Sequence, residues 1–222
     1  TGYSTDTFDD LRNGNSRHDD RRRQFPLTSD QVEAFNTAVD HFVTSKQLLM
    51  FVHGPPGTGK TILADRIMAA ANRIGIGSKF SALSGAAASI NGGSTIHYLT
   101  NLGIVLPKPN RRVTEQQVKE MRTRGGRYGV LVLDEVSMLH AKLFACVESR
   151  FTQADLLKMG ARSNRDVQTD VLFGGMHVLL MGDCLQLPPP TNFVKAMYVD
   201  CVDETAGSSR YSKDPQLLAG IQ

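Results

Sequence analysis

From residue 25 onward, segments with helical hydrophobic spacing alternate with short continuous apolar runs. Behind Thr28 and Ser29, either of which can cap a helix, Val32, Phe35, Val39 and Phe42 fall on one helical face. The run 48–52 is apolar throughout and ends in a Gly-Pro-Pro turn, which predicts a buried parallel strand. A helix follows over 61–73 with Ile62, Leu63, Ile67 and Met68 as its buried side, then a short strand over 79–83. A short helix is expected over 95–102, and a polar helix over 114–124 is opened by a Thr-x-x-Gln capping pattern. The third strand is 130–133, an amphipathic helix covers 139–151, and a fourth strand, 177–181, stops at Gly182-Asp183. Strands alternating with helices predict an α/β fold, a mostly parallel sheet with helices on both faces, in which ligands gather at the carboxyl ends of the strands.

The flanks have another character. Residues 1–24 carry Asp, Arg, Asn, Ser and Gly with few large apolar side chains, too few to offset the entropy of ordering, so a disordered segment is expected. Within it Arg21-Arg22-Arg23 reads as a solvated linker or as a targeting or nucleic-acid patch. The stretch 191–222 has weak periodicity and no closing stop signal. The expected organisation is therefore one α/β lobe over 25–190, preceded by a disordered segment and followed by a tail.

Composition narrows the classes. Of 222 residues 41% are hydrophobic and 21% charged, an ordinary balance for a folded domain, and a net charge of only +3 confines any nucleic-acid contact to local patches. The three cysteines, Cys146, Cys184 and Cys201, form no C-x-x-C pair, which argues against a zinc site or a disulfide framework and for a reducing compartment. No apolar run approaches the roughly 20 residues that span a bilayer, and no signal peptide is visible, so no membrane partner is expected.

Three segments carry chemistry, and all three fall at predicted strand ends. Gly54-Pro55-Pro56-Gly57-Thr58-Gly59-Lys60-Thr61 fits the phosphate-loop pattern G-x-x-x-x-G-K-T between a strand and a helix. Its glycines let successive N–H groups curl inward as an anion nest, and the following helix adds its positive end. Lys60 can reach the β- and γ-phosphates of ATP, and the Thr61 hydroxyl can ligate Mg²⁺. Asp134 and Glu135 close the 130–133 run; the first is placed to hold magnesium and the second to polarise an attacking water. Two adjacent carboxylates repel, and a divalent cation relieves that repulsion. In Gly182-Asp183-Cys184-Leu185-Gln186-Leu187-Pro188-Pro189, the prolines fix the backbone beyond the strand, and Gln186 can bond both a γ-phosphate and a water.

That last segment resembles motif III of superfamily 1 helicases. Residues 84–97, Ser-Gly-Ala-Ala-Ala-Ser-Ile-Asn-Gly-Gly-Ser-Thr-Ile-His, look like the motif Ia region of the PIF-type helicases of superfamily 1B. Asp134-Glu135-Val136-Ser137-Met138 resembles their motif II, Phe173-Gly174-Gly175 their lead-in to motif III, and Phe25 to Gln31 their Q-motif. The likeness spans about Phe25 to Pro189 and implies a RecA-like P-loop fold, the first motor lobe of a DNA helicase that moves 5′ to 3′ on one strand. It implies that Gln31 bonds adenine, that residues 54–61 hold ATP, that Thr61 and Asp134 hold Mg²⁺, and that Lys60, Glu135 and Gln186 act in catalysis. Ser84, Gly85, Thr95 and His97 would touch single-stranded DNA. The expected partners are ATP, single-stranded DNA and duplex junctions, met as a monomer in the nucleus or another intracellular reducing compartment. Expected roles are DNA repair, recombination or telomere maintenance, encoded by a helitron-like mobile element or a host gene.

Ser84 departs from the family's usual threonine and Tyr98 from a small hydroxyl. Tyr98 reads as a core residue, with stacking on a base as the alternative. Lys119, Arg122, Arg124 and Arg127 read as a solvated helix face or as phosphate ligands, and Arg162 to Asp166 as an exposed polar connection. No second-lobe motif follows Pro190, so slow hydrolysis with little unwinding is the expectation for this chain alone. Two alternatives stand beside this reading: an ATPase of the AAA+ class, which shares the G-P-P-G-T-G-K-T loop, and a nucleotide- or DNA-binding remnant without turnover.

Overall fold

Five parallel strands in the order β1-β5-β4-β2-β3 form the centre of the computed structural model, which describes residues 25–103, 105–109, 111–125, 129–158, 171–183 and 185–186. The strands are β1 (Leu49–His53), β2 (Ser78–Ala82), β3 (Ser94–Thr95), β4 (Val130–Asp134) and β5 (His177–Gly182). The α-helices are α1 (Ser29–Val43), α2 (Lys60–Arg73), α3 (Gly85–Ile90), α4 (Ile96–Leu99), α5 (Glu115–Gly125) and α6 (Ala141–Lys158). Two 3-10 turns, Val136–Met138 and Leu172–Gly175, lead out of β4 and into β5. This is the RecA-like P-loop arrangement. The expectations for 1–24, Arg127, 162–166, Cys184, Leu187 to Pro189 and 191–222 lie outside the described residues.

The central strands show why the sheet must be covered twice. Val130 and Val132 of β4, with Leu179 and Met181 of β5, join Phe35, Val39, Phe42, Leu63 and Ile67 of α1 and α2 in one core. The intervening residues, Leu131, Leu133, Val178 and Leu180, join Ile96, Leu99, Leu143, Phe144 and Val147 of α4 and α6 in the other. Period-two alternation in an unbroken apolar run sends successive side chains to opposite faces, and each fully buried aliphatic contributes about 1.5–3 kcal/mol.

Four expectations are corrected. Val32, counted on the inner face of α1, is 43% exposed, and Ala38 takes its place. Ile62 and Met68 are only partly buried; Ala64, Ala70 and Ala71 form the buried side of α2 instead, because small residues let the helix approach the sheet closely. The run 48–52 is not a buried strand: β1 is an edge strand of the described sheet, paired with β5 alone, and Leu49 is 39% exposed. The helix expected over 95–102 is split, since Thr95 ends β3 and caps the four-residue α4. Both predicted caps form: Thr28 and Gln31 exchange bonds as a capping box, and Thr114 and Gln117 do the same before α5.

At the amino ends of β1 and β5, Gln47 Nε2 donates to the carbonyls of Leu172 and Met176. Leu48 N donates to His177 Nδ1 at 3.0 Å. The His177 ring packs edge-on to Phe42, and burial lowers its pKa, so it stays a neutral acceptor. Gly93 allows β3 to lie against β2: a Cβ there would press on the Phe80 carbonyl and ring. Gly93→Ala is expected to cost about 1–3 kcal/mol through overpacking. Urea denaturation measures this, and an unchanged midpoint contradicts the packing argument.

Candidate active site

Register brings the three motifs together. His53 pairs with Gly182 across β1 and β5, Leu133 pairs with Leu180 across β4 and β5, and Ala82 pairs with Asp134 across β2 and β4. Gly54, Asp134-Glu135, Asp183 and Ser84 therefore leave neighbouring strands along one edge of the sheet, at their carboxyl ends.

The phosphate loop folds on itself. Gly57 and Gly59 take φ of 78° and 83°, the left-handed region where glycine is unstrained. Gly54 N donates to Gly182 O at 3.2 Å, which joins the loop's start to the end of β5. Thr58 Oγ1 donates to Pro55 O at 2.8 Å, and Lys60 Nζ donates to the carbonyls of Gly54 and Pro55. The lysine thus reaches back over the loop that precedes it. Thr61, half-buried, opens α2 next to Lys60.

Gln31 is tied into this loop. Its Oε1 accepts the Thr28 N–H at 3.1 Å, and its Nε2 donates to Thr58 O at 2.8 Å. A Cβ on Gly59 would sit 3.0 Å from that same Nε2. The start of α1 thereby senses the loop's conformation directly.

Asp134 is half-buried, and desolvation raises its carboxyl pKa against the opposing influence of the Glu135 N–H and of Lys60. Its Oδ1 accepts the Glu135 N–H at 2.8 Å. Lys60 is close enough to act on it electrostatically, so the phosphate loop and the acidic pair share one site. No cluster of three or more His, Cys, Asp or Glu side chains forms among the described residues. One carboxylate and one hydroxyl fit Mg²⁺, which takes few protein ligands and completes its shell with phosphate oxygens and water.

Glu135 adopts φ 60°, ψ 37°, a left-handed conformation that costs a non-glycine residue on the order of 1–3 kcal/mol. Val136 and Ser137 crowd the far side: a Cβ on Gly182 would lie 2.8 Å from Val136 Cγ2. Glu135 Oε2 accepts a hydrogen bond from Ser84 Oγ at 3.1 Å. Beyond β5, Leu185 N donates to Asp183 Oδ1 at 2.9 Å and Gln186 N to Asp183 O at 3.0 Å, a turn that leaves Gln186 exposed.

The nucleic-acid candidates lie at the ends of β2 and β3. Ser84 caps α3, Gly85 is exposed, and Thr95 Oγ1 accepts the Tyr98 N–H at 3.3 Å. His97 is half-buried with a pKa lowered by desolvation. Tyr98 is 50% exposed and not core. The Arg124 guanidinium stands 4.9 Å over its ring and donates to Tyr98 O and Asn101 Oδ1. On this four-residue helix Tyr98 is left exposed while Ile96 and Leu99 take the buried positions. Arg124 is thus fixed by a partner, whereas Lys119 and Arg122 are exposed. Sequence reading missed the Gln31–Thr58 and Ser84–Glu135 bonds; the residues were singled out, but their contacts span 27 and 51 positions.

Residues 26–208 match the family model of the PIF1-like helicases. The chain is 33% identical over 171 residues to the human ATP-dependent DNA helicase PIF1, an alignment that covers 77% of this chain and 24% of that protein. The crystal structure of Bacteroides Pif1 in complex with ADP-AlF4 superposes with a TM-score of 0.57 at 24% identity, covering 82% of this chain and 37% of the other. The Bacteroides Pif1 structure bound to single-stranded DNA gives 0.56 at 24% identity, with the same coverage.

Proposed function

The chain belongs to the PIF1-like helicase family, and from that premise we propose that it forms the ATP-hydrolysing lobe of a DNA helicase. The observation that carries the reading is the convergence of phosphate loop, acidic pair and Gln186 turn on three adjacent strand ends, β1, β5 and β4. The family match sets aside the AAA+ alternative.

In this reading residues Gly54, Pro55, Pro56, Gly57, Thr58 and Gly59 wrap the phosphates with backbone N–H groups, and Lys60 leaves its carbonyl partners to meet the β- and γ-phosphates. Thr61 and Asp134 hold Mg²⁺, which when bound neutralises charge on the phosphate oxygens. Glu135 takes a proton from the attacking water, and Gln186 couples the terminal phosphate to the strand-gripping surface. Gln31 exchanges its bond to Thr58 for the adenine edge, so that base recognition reaches the loop through one side chain. Ser84, Gly85, Thr95 and His97 contact single-stranded DNA, and Tyr98 offers a ring on which a base can stack; such stacking is worth about 1–3 kcal/mol per base. The chain spans 24% of the human relative's length. Translocation, polarity and repair or recombination roles belong to a whole helicase, which adds charge-stabilising arginines from a second lobe.

The deciding experiment is ATP hydrolysis by this chain with and without oligothymidylate. Stimulation by the single strand supports the helicase lobe. Tight ATP binding with no turnover in either condition favours a binding remnant.

A further inference from the structure

Ser84 and Glu135, which the proposed reading gives to different ligands, share a hydrogen bond. Ser84 Oγ donates to Glu135 Oε2 at 3.1 Å and accepts the Ala87 N–H at 3.2 Å. Sheet register fixes the contact. β2 and β4 are parallel neighbours with Ala82 opposite Asp134, so residues two and one positions beyond those partners emerge side by side. Glu135 has little freedom to move its backbone, because its N–H is bound to Asp134 Oδ1 and its carbonyl accepts the Met138 N–H at 3.1 Å. Rotation of the Ser84 hydroxyl or of the Glu135 side chain can therefore change the pairing without moving the backbone.

We propose that Ser84 is a positioning residue that makes hydrolysis wait for nucleic acid: its hydroxyl holds the Glu135 carboxylate until a single-strand phosphate takes that hydroxyl. The inference rests on the helicase-lobe reading. A serine hydroxyl has one proton to donate. Given to Glu135, it is withheld from a phosphate oxygen; given to a phosphate, it frees Glu135 Oε2 for water. No atom changes bonding partner covalently, and the exchange is one hydrogen bond for another. Glu135 combines this contact beyond the end of β2 with a left-handed backbone, the kind of outlier that clusters at functional sites.

Two measurements test this. With saturating Mg²⁺ and ATP, Ser84→Ala and Ser84→Asp are expected to raise the rate without nucleic acid about ten-fold, roughly the worth of one charge-assisted hydrogen bond, and to shrink stimulation by oligothymidylate toward unity. Ser84→Asp keeps an oxygen for the Ala87 N–H, so its helix cap survives, while Ser84→Thr keeps the hydroxyl and should retain the stimulation by oligothymidylate. The second measurement needs no hydrolysis. Glu135→Ala should tighten nucleotide-free binding of oligothymidylate several-fold by freeing the Ser84 hydroxyl, and the gain should vanish in a Ser84→Ala background. A rate without nucleic acid that is unchanged or lower in both Ser84→Ala and Ser84→Asp overturns the proposal. So does a Glu135→Ala binding gain that persists without Ser84. A parent chain with no turnover sinks the hydrolytic reading alone, and the binding cycle still decides the Ser84 contact.

Discussion

Glu135→Gln should bind ATP within about two-fold of the parent chain and hydrolyse it roughly 10²–10⁴-fold more slowly, the range in which a positioned general base contributes. The substitution is close to a pure test of basicity. Glutamine has the same length, its backbone N–H can still donate to Asp134 Oδ1, and its carboxamide oxygen can still accept from Ser84. Left-handed backbone costs glutamine about what it costs glutamate, so folding stability should be little changed. What disappears is the capacity to take a proton from water. Single-turnover hydrolysis beside equilibrium binding of a fluorescent nucleotide separates the two effects. Turnover within ten-fold of the parent would mean that another group is the base; Asp183, buried at the end of β5, is the next carboxylate along the same edge.

Lys60→Ala acts one step earlier, and its expected result is a loss of nucleotide affinity of roughly 2–5 kcal/mol, about one and a half to three and a half orders of magnitude in Kd. The lysine is the loop's one ammonium, and it donates to Gly54 O and Pro55 O. Those carbonyls lie at the start of the phosphate loop, so the side chain is already drawn toward the cradle and has a short distance to turn. Its removal also withdraws the positive neighbour that opposes the raised pKa of Asp134. Asp134 would then hold its proton to higher pH, and Mg²⁺ dependence should shift with it. Isothermal titration with a non-hydrolysable ATP analogue measures the affinity. An unchanged Kd, with the thermal midpoint preserved, would remove Lys60 from the phosphate site.

The coupling between these residues explains the layout better than any motif alone. Gln31 reaches the phosphate loop from α1, Ser84 reaches the acidic pair from β2, and Gly54 N bonds to Gly182 O at the end of β5. In the proposed reading the first two links each join a residue that meets one ligand to a residue that handles another. A lobe built this way can pass the state of adenine, phosphate and nucleic acid through single hydrogen bonds.

The residue order by itself determined most of the elements and the motifs they carry. Four of the five strands were anticipated, and β4 and β5 stood out as apolar runs because a strand buried on both faces needs no polar alternation. The two-residue β3 and the six-residue α3 were too short to leave a period. The phosphate loop, Asp134-Glu135 and the Gln186 segment were legible because their chemistry demands particular residue types at fixed spacing. Tertiary structure alone decided the rest. Hydrophobic spacing cannot tell an outer strand from a central one, so β1 and Leu49 were placed too deep, and a lone aromatic cannot announce that Arg124, 26 positions away, will hold it at the surface. The Ser84–Glu135 bond arises from parallel pairing of β2 with β4, and register between strands separated by some fifty residues is set by packing rather than by any local pattern.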